Sequence, residues 1–238
     1  MEGLSTRRST PVTTGYQPVE VDRVVVWDYI TERQSQLLYQ SYQHLSLVIQ
    51  CVLLATVIAV ALAVVVHRNP RVAALAGAVS AVGLTIPSFA LLGLMIPIAG
   101  IGTATSVIAV TFYACLPILR NAVVGLAGVD ATLIESARGM GMGAARTLLR
   151  IELPLAWPVI LAGVRVSAQM SMGIAAIAAY VLGPGLGSFI FTGLTQIGGA
   201  NALNSALVGT IGVVLLALIL DALLLLVGRL TTSRGIRV

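Results

Sequence analysis

Long apolar runs separated by short polar segments are the dominant pattern of this chain. Five runs are each at least as long as the roughly 20 residues that cross the hydrocarbon core of a bilayer as a helix. Their bounds are Leu45–Val66, Val72–Ala99, Thr103–Ala127, Trp157–Leu182 and Leu203–Val227. The second run contains Pro87 and Pro97, which a membrane helix tolerates when its neighbours satisfy the freed backbone groups. We therefore predict an all-α polytopic membrane protein with one transmembrane domain, residues 45–230.

The segments outside these runs are polar or rich in glycine. Residues 1–23 are rich in Ser, Thr, Pro and Arg, which predicts a disordered extracytoplasmic tail. Residues 24–44 mix aromatic and charged side chains, which is typical of an interfacial amphipathic helix, and residues 231–238 are predicted to be a cytoplasmic tail. Gly183–Asn201 has too many glycines for a stable crossing. A partly inserted hairpin or a surface helix at Gly187–Leu194 is expected there, and a sixth crossing is the alternative.

Composition supports a membrane protein and excludes some functions. The chain is 58% hydrophobic and 10% charged, with a mean hydropathy of +0.98, whereas a soluble domain carries about a quarter charged residues. All 14 basic residues are arginines, so this chain lacks the lysine of a phosphate-binding P-loop. If ATP drives this protein, another subunit must hydrolyse it. Cys51 and Cys115 lie in apolar runs and indicate neither a disulfide framework nor a metal site.

The distribution of arginine predicts the orientation, since arginine and lysine concentrate in cytoplasmic loops. With five crossings, one side of the membrane holds eight arginines and the other side holds four, which lie before the first run. The eight are Arg68, Arg71, Arg138, Arg146, Arg150, Arg229, Arg234 and Arg237. We expect an outside amino terminus and a cytoplasmic carboxyl terminus. The net charge of +5 is attributed to topology, and no nucleic-acid surface is expected.

The most polar connection between two runs is residues 130–155. Thr132 and Glu135 have the spacing of a helix-starting capping box, with Asp130 as a rival N-cap. A cluster of glycines then predicts a tight corner, and Pro154 is expected to end the helix that follows. The clustered glycines are Gly139, Gly141 and Gly143.

This connection resembles the EAA loop of permeases of ATP-binding-cassette (ABC) importers. The family pattern is Glu-Ala-Ala, three residues, Gly, nine residues and Ile-x-Leu-Pro, and only Ser136 departs from it. The matching positions are Glu135, Ser136, Ala137, Gly141, Ile151, Leu153 and Pro154. The resemblance implies that these residues, with Arg138 and Arg146, form a coupling helix that docks on an ATPase subunit. The alternative is an ordinary amphipathic loop between two membrane helices.

A wider resemblance covers roughly residues 27–227. The run AQMSMGIAAIAAYVLGPGLGSFIFTGL and the segment GLTIPSFALLGL are similar to permeases for glycine betaine, carnitine or choline. This implies a type I (MetI-like) fold with five core helices, a second permease subunit, two ABC ATPase subunits and an extracytoplasmic substrate-binding protein in a bacterial cell membrane. It implies no catalytic residue, metal or cofactor in this chain, because the partner binds ATP. A permease for another small solute such as D-methionine is the alternative.

Polar residues within the runs are candidates for a pore or for helix packing. Candidate pore-lining residues, named for their polarity or aromatic rings, are Ser167, Gln169, Ser171, Phe89 and Tyr180. Small and polar residues on membrane helices more often pack helices together. An ion-coupled secondary carrier would need buried carboxylates near the bilayer midplane, and the runs offer only Asp221.

Ionisable side chains at the ends of the runs have simpler interpretations. We expect His44 and His67 to be interfacial residues. Arg120, Arg165 and Asp221 are expected to be anchors near the cytoplasmic face or members of an intramembrane ion pair, since an isolated charge in the membrane is costly.

Overall fold

The computed structural model describes residues 23–232, in which every regular element is helical. The predicted tails at residues 1–22 and 233–238 lie outside the described residues. In chain order the elements are α1 Arg23–Glu32, α2 Gln34–Val66, α3 Pro70–Gly83, α4 Ser88–Ala99, α5 Thr103–Ala127, α6 Ala131–Gly139, α7 Ala144–Thr147, a π-helical turn Leu148–Glu152, α8 Leu153–Ala178, a 3-10 turn Ala179–Val181, α9 Gly187–Thr195 and α10 Ala202–Thr231.

Helix α5 is the centre of the bundle and packs against both α2 and α8, which also contact each other. The face of α2 that meets the bundle carries alanines four residues apart, Ala55, Ala59 and Ala63, and all three are fully buried. Small side chains let helix backbones approach closely, which is how membrane helices gain packing energy without a hydrophobic driving force. The all-α fold predicted from the apolar runs is confirmed.

The number of crossings agrees with the five predicted core helices. Four continuous helices are long and apolar enough to cross a membrane, and a bent pair adds a fifth if it is one span. In the described part of the chain, α9 has only nine residues, or about 14 Å of helix. It is too short for the alternative sixth crossing, and it packs against α10.

The second apolar run does not form one helix. It divides into α3 and α4, which meet at an angle of 95°, with Pro87 at the N-cap of α4 and Pro97 inside α4. The Tyr113 hydroxyl of α5 donates a hydrogen bond to the carbonyl of Ile86 in the bend. A neighbouring helix therefore satisfies a backbone group that the break frees, as the hydrocarbon environment requires.

Residues 24–44 do not form one separate helix. Helix α1 ends at Glu32, and α2 then runs unbroken for 33 residues from Gln34, because residues 34–44 are rich in glutamine and leucine, which favour helix. His44, which we expected to be interfacial, is fully buried by protein, with its Nε2 3.2 Å from the Met172 carbonyl of α8.

Candidate functional site

The polar connection between α5 and α8 begins with a capped helix. The Asp130 carboxylate accepts a 2.8 Å hydrogen bond from the backbone N–H of Thr132, so Asp130 is the N-cap of α6. The capping box expected from Thr132 and Glu135 is not the cap, because Thr132 already lies inside the helix. A carboxylate at this end also interacts favourably with the helix dipole.

Helix α6 ends in a Schellman motif that favours a glycine. The N–H of Met142 donates to the Ala137 carbonyl at 3.0 Å and the N–H of Gly141 donates to the Arg138 carbonyl at 2.9 Å, which is the paired pattern of this C-terminal motif. Gly141 has φ of +83°, a left-handed conformation that costs other residues roughly 1–2 kcal/mol. The glycine of the EAA pattern therefore forms the predicted corner.

Beyond the corner the chain enters the membrane without a break. Helix α7, the π-helical turn and α8 follow each other directly, and Pro154 lies in the first turn of α8. The expectation that Pro154 ends a helix is wrong, since helical structure runs through it, and the turn just before this residue, which lacks an N–H, takes the wider π form. The π-helical turn closes with the N–H of Leu153 donating to the Leu148 carbonyl. Single π turns within helices occur frequently at functional sites.

The residues of the EAA pattern present a polar surface around one buried side chain. Ala137 is fully buried against the rest of the connection, whereas Ile151 and Leu153 are half-buried. The remaining members, with the two arginines assigned to the same site, are exposed in this single chain: Glu135, Ser136, Arg138, Gly141, Arg146 and Pro154. This exposed surface carries both acidic and basic side chains and lies where the chain connects α5 to α8, which suits the binding of a soluble partner.

A buried carboxylate in the π-helical turn was missed by the sequence analysis. Glu152 is 2% exposed, and its Oε2 lies 3.0 Å from Nε2 of His67 while its Oε1 lies 3.4 Å from Nη2 of Arg68. The His67 side chain is 6% exposed, so it is enclosed by protein. The sequence does contain a signal for this contact. The carboxylate lies between Ile151 and Leu153, and an acidic residue that is buried with apolar neighbours needs a partner.

Within the bundle, the two ionisable residues of α8 and α10 form an ion pair. Nε and Nη2 of Arg165 donate to Oδ1 and Oδ2 of Asp221, each at 3.0 Å. The side chain of Gln169, one turn along α8, also interacts with this carboxylate. This bidentate geometry is the strongest form of carboxylate recognition, and it confirms the ion-pair alternative over simple anchoring for these two residues.

The candidate pore residues occupy two different environments. Ser167 and Ser171 are fully buried inside the bundle, and Ser167 donates to the Ala114 carbonyl of α5 at 2.9 Å. These two serines therefore have packing positions. Gln169 lies on an exposed face of α8.

The aromatic candidates come together with a third ring. Phe89 and Tyr180 are 49% and 66% exposed, and their ring centroids are 5.5 Å apart in an edge-to-face arrangement. Phe191 of α9 completes the cluster, with its ring centroid 5.6 Å from that of Tyr180. Phe191 was not identified from the sequence because only the fold places α9 beside the bend before α4.

Acidification should open the start of α6. The hydrogen bond from the Thr132 backbone, followed by that from its side chain, holds the pKa of the Asp130 carboxyl below its ordinary value. The cap is fully present above the unfolded-state pKa and is lost as pH falls through the lower folded-state pKa. We expect protection of the Thr132 amide, measured by hydrogen exchange corrected for intrinsic rates, to fall with acidification. Asp130→Asn, which caps without titrating, should remove that dependence, and an identical profile in both would contradict the assignment.

Comparison with known proteins places this arrangement in a group of transport proteins. Residues 52–233 match the family described as "Binding-protein-dependent transport system inner membrane component". The chain is 36% identical to the choline transport system permease protein OpuBB of Bacillus subtilis (strain 168), over 88% of this chain and 94% of the relative. It is 40% identical to the carnitine transport permease protein OpuCB of Listeria monocytogenes, over 81% and 87% respectively. It is 36% identical to the osmoprotectant import permease protein OsmW of Salmonella typhimurium, over 88% and 98%.

A solved structure shares the fold. The inward-facing MetNI methionine ABC transporter (CY5 native crystal form) contains a chain that matches with a TM-score of 0.66 at 22% identity, covering 85% of this chain and 96% of that one. At this level of identity the similarity supports the fold alone.

Proposed function

Because the chain belongs to the family of binding-protein-dependent transport system inner membrane components, we propose that it imports a compatible solute such as glycine betaine, carnitine or choline as the permease subunit of an ABC importer. The observation that carries the solute class is the identity of 36–40% to permeases named for choline and carnitine over more than four fifths of the chain. The chain is an integral membrane permease component, and no catalytic role is assigned to it.

The polar connection is proposed as the ATPase-coupling site. Helix α6 is held at both ends by local hydrogen bonds, from the Asp130 cap to the Gly141 corner, so its shape does not depend on a partner. Its exposed residues, including Glu135 and Arg138, are free of contacts that would block docking. A preformed helix loses little conformational entropy on binding, which suits an element that must transmit displacement.

The remaining partners follow from the same proposal. Two permease subunits, identical or similar, would form the pore. Two ATPase subunits would bind and hydrolyse ATP, so this chain itself needs no cofactor. A substrate-binding protein would deliver the solute from outside. The arginine distribution supports an outside amino terminus and a cytoplasmic coupling connection in a bacterial cell membrane.

Three exposed side chains are proposed to line the pore between two copies or similar chains. Gln169, Phe89 and Tyr180 are exposed in the single chain, whereas Ser167 and Ser171 support the bundle from inside. Aromatic faces attract quaternary ammonium groups, which suits the proposed solutes.

Cysteine placed at position 169 should react with a polar thiol reagent, and cysteine at the buried position 167 should not. Equal reaction at both positions would contradict this lining.

An ion-coupled carrier is disfavoured by the pairing of its one candidate residue. The Asp221 carboxylate is engaged by two donors of Arg165, which leaves it poorly suited to bind and release a coupling ion. The similarity to a methionine transporter supports the fold only, so methionine serves here as a competing solute in the test.

The proposal is tested by reconstituting the permease, its ATPase and its binding protein in liposomes. We expect the binding protein loaded with glycine betaine, carnitine or choline to stimulate ATP hydrolysis and uptake, and D-methionine to do neither. Uptake of methionine alone would overturn the solute assignment. Uptake driven by an ion gradient without ATP would overturn the importer assignment.

A further inference from the structure

The buried cluster of Glu152, His67 and Arg68 joins two parts of the permease that are far apart in sequence. Glu152 ends the π-helical turn that follows α7, whereas His67 and Arg68 form the link between α2 and α3. The Glu152 and His67 side chains are 2% and 6% exposed, so their contact is shielded from water. Shielding strengthens an ionic contact and raises the cost of leaving either partner alone.

His67 is fixed on the α2 side by hydrogen bonds to the end of that helix. Its Nδ1 lies 2.9 Å from the Val64 carbonyl and 3.2 Å from the Ala63 carbonyl, which also accepts the backbone N–H of His67. Its other nitrogen points to Glu152. Both ring nitrogens therefore lie within hydrogen-bond distance of acceptors, which holds the ring between the end of α2 and the π-helical turn.

Helix α6 is joined to α5 by the short link after Ala127. Its main tertiary contacts are with α7 and the π-helical turn, so displacement of α6 can also reach the bundle through that turn. From Glu152 it can pass along the chain into α8 and, through His67, into α2. Helices α2 and α8 both pack on the central helix α5.

We propose that Glu152 is a positioning residue that carries movement of the coupling connection to α2 through its hydrogen-bonded contact with His67. The inference rests on the coupling site of the proposed function and deepens it. The contact keeps α2 and α8 moving together when the ATPase displaces α6. Arg68, whose side chain is half exposed, supplements the charge but is not required for the link.

The test separates stability from coupling. Replacing both partners in Glu152→Leu/His67→Leu leaves no unpaired buried charge, and such replacements are often neutral or stabilising. We expect this complex to assemble with a melting temperature near that of wild type, while glycine betaine transported per ATP hydrolysed falls about tenfold, which is within the range for mutations that alter energetic coupling between sites. Glu152→Gln keeps an acceptor for His67, so its ratio of betaine transported to ATP hydrolysed should lie between those of wild type and the double-leucine variant. Arg68→Gln is the matched control, and its ratio should be close to that of wild type.

A wild-type transport ratio in the assembled double-leucine variant would overturn the proposal and reduce the pair to a static contact. Wild-type complex that transports no betaine would instead count against the proposed function. If the double-leucine variant does not assemble, His67→Cys/Glu152→Cys is used in a Cys51→Ala/Cys115→Ala background with a short bifunctional thiol reagent. If the double-cysteine variant transports little betaine per ATP hydrolysed and recovers after crosslinking, the contact between positions 67 and 152 carries the movement. If crosslinking leaves this transport ratio unchanged, the proposal is contradicted.

Discussion

Gly141→Asp is expected to abolish substrate-stimulated ATP hydrolysis by the reconstituted complex while leaving the permease folded. A Cβ at position 141 would meet no heavy atom of the chain within 4 Å, and aspartate is among the few residues that visit a left-handed conformation. The carboxylate would, however, be placed in the proposed contact with the ATPase. An unpaired charge buried at an interface costs several kcal/mol, roughly 2–5, which predicts more than about a tenfold loss of stimulated hydrolysis.

The matched variant is Gly141→Asn, which has nearly the same shape and backbone tolerance without the charge. The asparagine variant should retain more ATPase on the membrane complex than the aspartate variant, and its stimulated ATP hydrolysis should be faster. Glu135→Lys, which reverses the charge of an exposed residue on α6, should lower both the amount of ATPase retained and the stimulated ATP hydrolysis. Wild-type retention and hydrolysis in all three variants would remove the ATPase-coupling role from this segment.

Asp221→Leu is expected to destabilise the permease strongly, because it leaves Arg165 without its bidentate partner inside the apolar bundle. Removing one member of such a pair costs about 3–5 kcal/mol when the pair is buried. The side chains are 33% and 20% exposed in this single chain, so we expect a value near the lower limit, about 3 kcal/mol. The measurement is the fraction folded against denaturant, or the melting temperature, in a fixed detergent.

The double variant Arg165→Leu/Asp221→Leu should recover most of that loss, since it removes both charges and leaves apolar side chains in apolar surroundings. Comparing the two single variants with the double variant gives the interaction energy of the pair. Equal destabilisation in Asp221→Leu and in the double variant would mean that the leucine at position 221 disturbs packing and that the charge is not the cause.

Prediction from the sequence succeeded for features that nearby residues determine and failed for features that depend on the rest of the fold. The corner at Gly141 could be predicted, because glycine and the residues around it determine a Schellman motif locally. The continuation of the helix through Pro154 could not, because the sequence pattern does not reveal the π form of the turn that precedes it. The break between α3 and α4 was signalled by Pro87, but its 95° angle depends on α5 offering a partner for the freed backbone.

By itself the sequence determined the membrane class, the apolar runs and the polar connection at residues 130–155. Each of these follows from the environment that a residue type tolerates, since charges leave hydrocarbon and backbone groups in lipid must pair within helices. Only the tertiary structure decided that Glu152 meets His67 across 85 positions, that Arg165 pairs with Asp221, and that Phe191 joins Phe89 and Tyr180. A local pattern reports what a side chain needs, whereas the packing of helices around α5 determines which distant residue supplies it.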